Sequence, residues 1–258
     1  MAAWSTLVSP VVVAGGRLAL FDFGDTTPNN HVALVGTHVG VLELWNYTIS
    51  TNAWASAADV TGNAIPWELT APDYIADLVN AAGDLYLVWY GSGFKIKRYR
   101  QGIGWTDLAN GPAGSGNVRT QAVVLGDYIY AVTIAGALGR YQVSTDTWTA
   151  LAAIPIPTSS TILCVFEGPS TDLRALEWGQ EPPDWLRLWL YDSVANTWST
   201  PFEAISSPVQ LDGFSNNRAS QRAKIGKILH VLTRNVVDHD HLGSNTEKNN
   251  WGKAESGA

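Results

Sequence analysis

The sequence predicts an all-β chain, folded as a single five-bladed β-propeller of four-stranded antiparallel blades and closed by its N-terminal strand. Three observations lead there. Twelve of the 258 residues are tryptophan, a Tyr–Trp pair recurs along the chain, and a glycine-centred hairpin precedes each pair. Self-similarity at a period of roughly 40 to 50 residues marks repeat architectures such as propellers.

The Tyr–Trp pairs come first. Tyr47 and Trp54 frame NYTISTNAW, Tyr141 and Trp148 frame YQVSTDTW, and Tyr191 and Trp198 frame YDSVANTW, each seven residues apart. Tyr99 and Trp105 frame YRQGIGW, one residue shorter. The tryptophans are separated by 51, 43 and 50 residues, the scale of one four-stranded blade. Trp251 in NNWGKA stands as the fifth copy.

Upstream of each pair, short apolar runs meet at a glycine: AGGRLALF at Gly16, AGDLYLVW at Gly83, LGDYIYAV at Gly126, IGKILHVL at Gly226 and, with extra turn residues, FEGPSTDLRALEW after Gly168. Each reads as a hairpin, the glycine supplying positive φ and the period-2 alternation a strand. Gly24, Gly91, Gly136 and Gly179 then end the second strands. The unit is two hairpins in series, the last strand opening with Trp. The domain is residues 1–258, with a closing strand at 1–10 and blades at 11–58, 59–109, 110–152, 153–203 and 204–253. Trp4 has the register of an outer strand preceding the first blade. No such blade hides an apolar face alone, so each repeat Trp and Tyr is assigned to packing between neighbours.

STDTWTALAAIP at 144–155 and YDSVANTWSTP at 191–201 resemble the kelch repeat, with one glycine where that family carries two. The resemblance covers nearly the whole chain and implies a propeller of interaction type.

Composition limits the chemistry. One cysteine, Cys164, excludes an internal disulfide and any multi-cysteine metal site, and in TILCVF it reads as a small buried hydrophobe. Asp238-His239-Asp240-His241 is the one run of metal-ligand types, and an exposed loop is its expected state. Asp84 and Asp127 follow hairpin glycines and read as surface turn formers. Glu43 and Glu177 interrupt apolar strands and are the carboxylates to watch, although alternation leaves each an outward face. Motifs for a serine nucleophile, a phosphate loop or a zinc protease are missing. The expectation is no enzyme and no cofactor.

Charge and aromatics point to contacts instead. Residues 1–94 hold eight carboxylates against one base, Arg17, and so carry the whole net charge of −7. Bases cluster at Lys95, Lys97, Arg98 and Arg100, and again at Arg218, Arg222, Lys224, Lys227 and Arg234. Those clusters, with Trp185 after the GQEPPD insertion, are the candidate interface, the opposed potentials steering copies or neighbours together. Trp45, Trp67, Trp89, Trp178 and Trp189 also lie outside the repeat framework, and half of the six are expected in the core.

The preferred role is a non-catalytic structural and interaction propeller in a large assembly, a bacteriophage virion component of tail or capsid surface by resemblance. Its partners are then other structural proteins, without membrane insertion or specific nucleic-acid binding. The alternative is a carbohydrate-binding lectin. The N-terminal apolar patch follows no basic stretch, so no export signal is expected, and the location is the virion, or the cytoplasm before assembly.

Overall fold

The computed structural model describes residues 14–21, 23, 31–38, 41–56, 77–113, 120–168, 171–179, 185–199, 202–206, 220–225 and 228–233. Every regular element among them is a β-strand, so no helix there is long and apolar enough to cross a membrane. The first sheet runs β1 (Ala14–Leu20), β2 (His31–His38), β3 (Val41–Thr48), β4 (Ala53–Ser56). The second runs β5 (Asp77–Ala81), β6 (Asp84–Tyr90), β7 (Phe94–Arg100), β8 (Gly104–Asp107). The third holds β9 (Thr120–Leu125), β10 (Tyr128–Thr133), β11 (Leu138–Gln142) and β12 (Thr147–Leu151). In the fourth, β13 (Ser160–Glu167), β14 (Leu173–Gly179), β15 (Trp185–Asp192) and β16 (Thr197–Trp198) follow one another, and β17 (Phe202–Ser206) also pairs with β15. Finally β18 (Ser220–Ile225) and β19 (Ile228–Thr233) form an antiparallel pair.

The expected all-β, four-stranded antiparallel organisation is what the chain adopts. Its contacts group into two compact units, residues 1–131 with 140–149, and residues 132–139 with 150–258. In the first unit β1 lies beside β5, and β5 and β6 beside β9. The second sheet is consequently covered on both faces. Leu85, Leu87, Trp89 and Tyr99 pack with Phe21, Ala33, Val35 and Leu44 of the first sheet side. Tyr86, Val88, Phe94 and Ile96 pack with Ala122, Ile129, Ala131 and Tyr141. In the second unit the buried apolar residues include Ile162, Cys164, Val165, Leu173, Ala175, Trp178, Trp189 and Tyr191.

The hairpin glycines behave as read at two sites. Ala82 and Gly83 both have positive φ, 51° and 83°, and Gly126 has φ 58°, the mirror-image turns whose twist suits antiparallel strands. Gly16 does not. It lies inside β1, where the register shifts between Ala14 and Arg17, so this glycine serves an irregularity in a strand and the first hairpin comes later. Trp4 with the rest of 1–10, Trp67, Trp251 and Asp238–His241 lie outside the described residues.

The framework pairs are cross-strand neighbours: Tyr47 faces Trp54, Tyr99 faces Trp105 and Tyr191 faces Trp198. Ring centroids stand 4.9, 5.5 and 5.1 Å apart, and 5.4 Å for Tyr141 and Trp148. The intervening turn holds a non-glycine residue at positive φ: Asn52 at 51°, Asp146 at 51°, Asn196 at 52°. Asn and Asp tolerate that region because the short side chain finds local partners. Here the partner is the framework tyrosine, whose hydroxyl donates to Asn52 at 2.7 Å, Asp146 at 2.9 Å and Asn196 at 2.8 Å.

The same turn residue reaches the strand end four residues past the preceding tryptophan. Ala109 N–H donates to Asp146 Oδ1 at 3.0 Å, and Trp148 Nε1–H donates to Ala109 O at 2.9 Å. In the second unit, Ala152 N–H donates to Asn196 Oδ1 at 2.9 Å and Trp198 Nε1–H to Ala152 O at 2.9 Å. Tyr, Asx and Trp thus form a clasp on the backbone N–H and C=O of one residue of the preceding repeat. The second sheet has glycines, Gly102 and Gly104, in place of the Asx, and among the described residues Trp105 Nε1 has no hydrogen-bond partner.

Candidate functional site

The richest polar group in the first unit lies on the face that the second sheet turns toward the third. Asp84 opens β6 and Tyr86 follows on the same face, while Arg98 and Arg100 occupy that face of β7. Arg100 clamps Asp84 through Nε at 3.0 and 3.1 Å and Nη2 at 2.7 Å, a charge-assisted fork. Arg98 Nε stands 3.8 Å from the same carboxylate without a hydrogen bond, and Arg98 lies across from Tyr86 in the strand register. Tyr141 approaches from the third sheet, its ring 6.2 Å from that of Tyr86.

Burial raises the Tyr86 hydroxyl above the ordinary phenol value, Asp84 adds to this, and Arg98 and Arg100 oppose it. Tyr141 is raised further, by burial first and then by its bond to Asp146. Both phenols therefore stay protonated at neutral pH. Exposure is graded: the Asp84 side chain is 8% accessible, Arg98 28% and Arg100 47%. The carboxylate is the shielded member of the group and the guanidiniums the exposed ones.

Asp84 departs from the surface turn former expected of it. The β5–β6 turn is Ala82–Gly83, so Asp84 is the first residue of the strand, whereas Asp127 falls within the turn and stays exposed. There Asp127 accepts bonds from Ser144 and Gln142, which hold its carboxyl below the usual range.

The slot is occupied in other sheets by different chemistry. His31 Nδ1 and Asn46 Oδ1 share a 2.8 Å hydrogen bond in the first, and Arg140 lies 4.6 Å over the Tyr128 ring in the third. Asn46, Arg98 and Arg140 each immediately precede a framework tyrosine. In the fourth sheet Arg174 pairs with Asp172 at 2.7 Å.

The basic run at 95–100 is not a uniform solvated surface. Lys95 donates to Asn110 at 2.8 Å. Lys97 points to the opposite face from Arg98 and is buried among apolar residues, with a 5% accessible side chain whose ammonium reaches out to Asp107. Trp185, Arg222 and Lys224 are placed only as strand positions, and Arg218 and Lys227 lie outside the described residues. Trp45, Trp89, Trp178 and Trp189 are all buried.

Glu177 is fully buried in β14, against the outward orientation that alternation left open. Its Oε2 accepts the Trp189 indole N–H at 2.7 Å, while Oε1 and the buried hydroxyl of Ser160 have no protein partner. Register puts Ser160 opposite Gly179, diagonal to Glu177 on one face.

No family model and no curated protein matches the chain. Among solved structures it is similar to a protein of unknown function from Dyadobacter fermentans, at 12% identity and TM-score 0.56, covering 85% of this chain and 74% of that one. A lectin of Aleuria aurantia, AAL, in complex with Fucalpha1-6GlcNAc, gives 13% identity and TM-score 0.55, over 80% of this chain and 68% of that one. AofleA from Arthrobotrys oligospora gives 15% and 0.53, over 91% and 70%. The chain spans only 23%, 44% and 30% of three other structures that it matches. These likenesses are to propeller-like folds; the kelch and virion expectations draw no support from them.

Proposed function

We propose that the chain is a non-catalytic binding propeller whose ligand is a carbohydrate, taken up at the mouth of the Asp84–Arg98–Arg100 slot. The carrying observation is the graded exposure there: two half-open guanidiniums over a shielded carboxylate, with phenol rings and hydroxyls at the side. Sugars need such a mixture, since hydrogen bonds orient the ring and flat apolar surface holds it. Likeness of fold to a sugar-bound lectin favours this reading over an assembly role. A glycan array probed with the wild-type protein and with Arg98→Ala tests it. Signals on a defined glycan set, lost in the variant while far-UV spectrum and melting temperature persist, are expected; an array at background overturns the reading.

The same reading takes the fold as five blades closed by residues 1–10. The clasp acceptor lies four residues past the preceding tryptophan, as Ala109 follows Trp105 and Ala152 follows Trp148. Applied to Trp54, the rule selects Val8, four residues past Trp4. Removing residues 1–8 should then cost about 2–5 kcal/mol, the proposed Trp4 packing and strand pairing being lost together. An unchanged melting temperature would sink the closure.

A further inference from the structure

We infer that the slot selects an acidic sugar, one carrying a carboxylate or a sulfate; this rests on the carbohydrate reading and narrows it. The argument is an inventory of donors and acceptors. Both Asp84 oxygens are taken by Arg100 and lie at the least exposed point of the slot. Asp146 Oδ1 already accepts the Tyr141 hydroxyl and the Ala109 amide. Tyr86 is 1% exposed, so its hydroxyl is not offered at the mouth. The exposed groups are the guanidinium N–H that Asp84 leaves unused on Arg100, 47% accessible, and those of Arg98, 28% accessible with its Nε buried, and these only donate. A ligand that completes them must bring acceptors.

Among acceptors, the planar carboxylate and the sulfate match a guanidinium edge with two parallel bonds, and charge assistance strengthens each. A neutral sugar hydroxyl offers a single uncharged acceptor, so it completes one guanidinium N–H where a carboxylate or sulfate completes two. Asp146 offsets part of the positive charge from the third sheet, and Lys97 faces the other side of the second, so preference comes from the direction of the donors more than from net charge. The other slots differ in this respect: His31 is bonded to Asn46, and Arg140 lies over a tyrosine ring. One acidic group per chain is the expected stoichiometry.

Calorimetric titration with a matched pair decides it: an oligosaccharide ending in a uronic acid, and the same oligosaccharide with the carboxyl reduced to the alcohol, beside a sulfated and desulfated pair. The acidic members should bind about tenfold tighter or more. Arg100→Gln, at a largely solvent-facing side chain, should abolish that difference, and Arg98→Lys should reduce it while keeping the charge. Whichever acidic member binds tighter identifies the group. Equal affinity within both pairs overturns the inference and leaves the carbohydrate reading standing. If no glycan binds, that reading falls, and titration with acetate and sulfate ions still decides anion recognition: saturable shifts of the Arg98 Nε–H signal that are lost in Arg100→Gln retain it, and their absence ends it.

Discussion

Trp148→Ala is expected to destabilise the folded chain by about 3–5 kcal/mol, the largest single-residue effect in the first unit. Its ring stacks on Phe94 with centroids 5.3 Å apart and 15° between planes, and packs against Tyr141. A Cβ on Gly111 would come within 3.0 Å of it, so little slack exists for the site to collapse. Trp148→Phe keeps an aromatic ring and deletes the donor to Ala109 O. It should cost about 1–3 kcal/mol, the price of a part-buried carbonyl left unpaired together with lost ring area. Urea denaturation of the three proteins measures both terms. A phenylalanine variant as stable as wild type would show that the indole hydrogen bond carries nothing and that the clasp is packing alone.

Asn196 should show the second large effect, separable into two parts by two substitutions. Asn196→Ala removes the acceptor for Tyr191 Oη and for the Ala152 amide, and places a residue with no local compensation at φ 52°. The loss of two hydrogen bonds at about 1 kcal/mol each and a left-handed penalty of about 1 kcal/mol give about 3 kcal/mol in all. Asn196→Gly removes the same bonds and relaxes the backbone, so it should be milder by about 1 kcal/mol. Equal losses in both would mean that the backbone conformation is unstrained. If neither variant loses stability, the turn oxygen is replaced by water without cost.

Much of this organisation was legible because it is written in spacing. The seven-residue Tyr–Trp interval is the geometry of a cross-strand pair bridged by a short turn, and Gly83 and Gly126 carry the positive φ that their hairpins need. What escaped was decided by which faces are covered. FKIKRYR shows a basic cluster, and its alternation mixes charged and apolar residues on both faces; the second sheet has neighbours on both, so Lys97 is buried and Arg98 and Arg100 line a slot. A one-residue shift in turn position separates Asp84, a strand residue with two arginines above it, from Asp127, a turn residue in solvent. Sequence shows the same Gly-Asp dipeptide in both places. Glu177 was singled out for interrupting an apolar strand, but only the fold supplies the Trp189 indole that receives it.

Attachment of each clasp to the main-chain amide and carbonyl of Ala109 and Ala152 has a further result. Those atoms belong to every residue type except for the proline N–H, so the grip places almost no demand on which amino acid is gripped. Where the clasp forms, three side chains hold the spacing, and the remaining positions are left to drift apart. Copies within one chain can then come to look unlike one another, as the polar pairs of the successive slots already do, while the architecture is inherited intact. Recognition of such a lineage by letters fails long before recognition by shape.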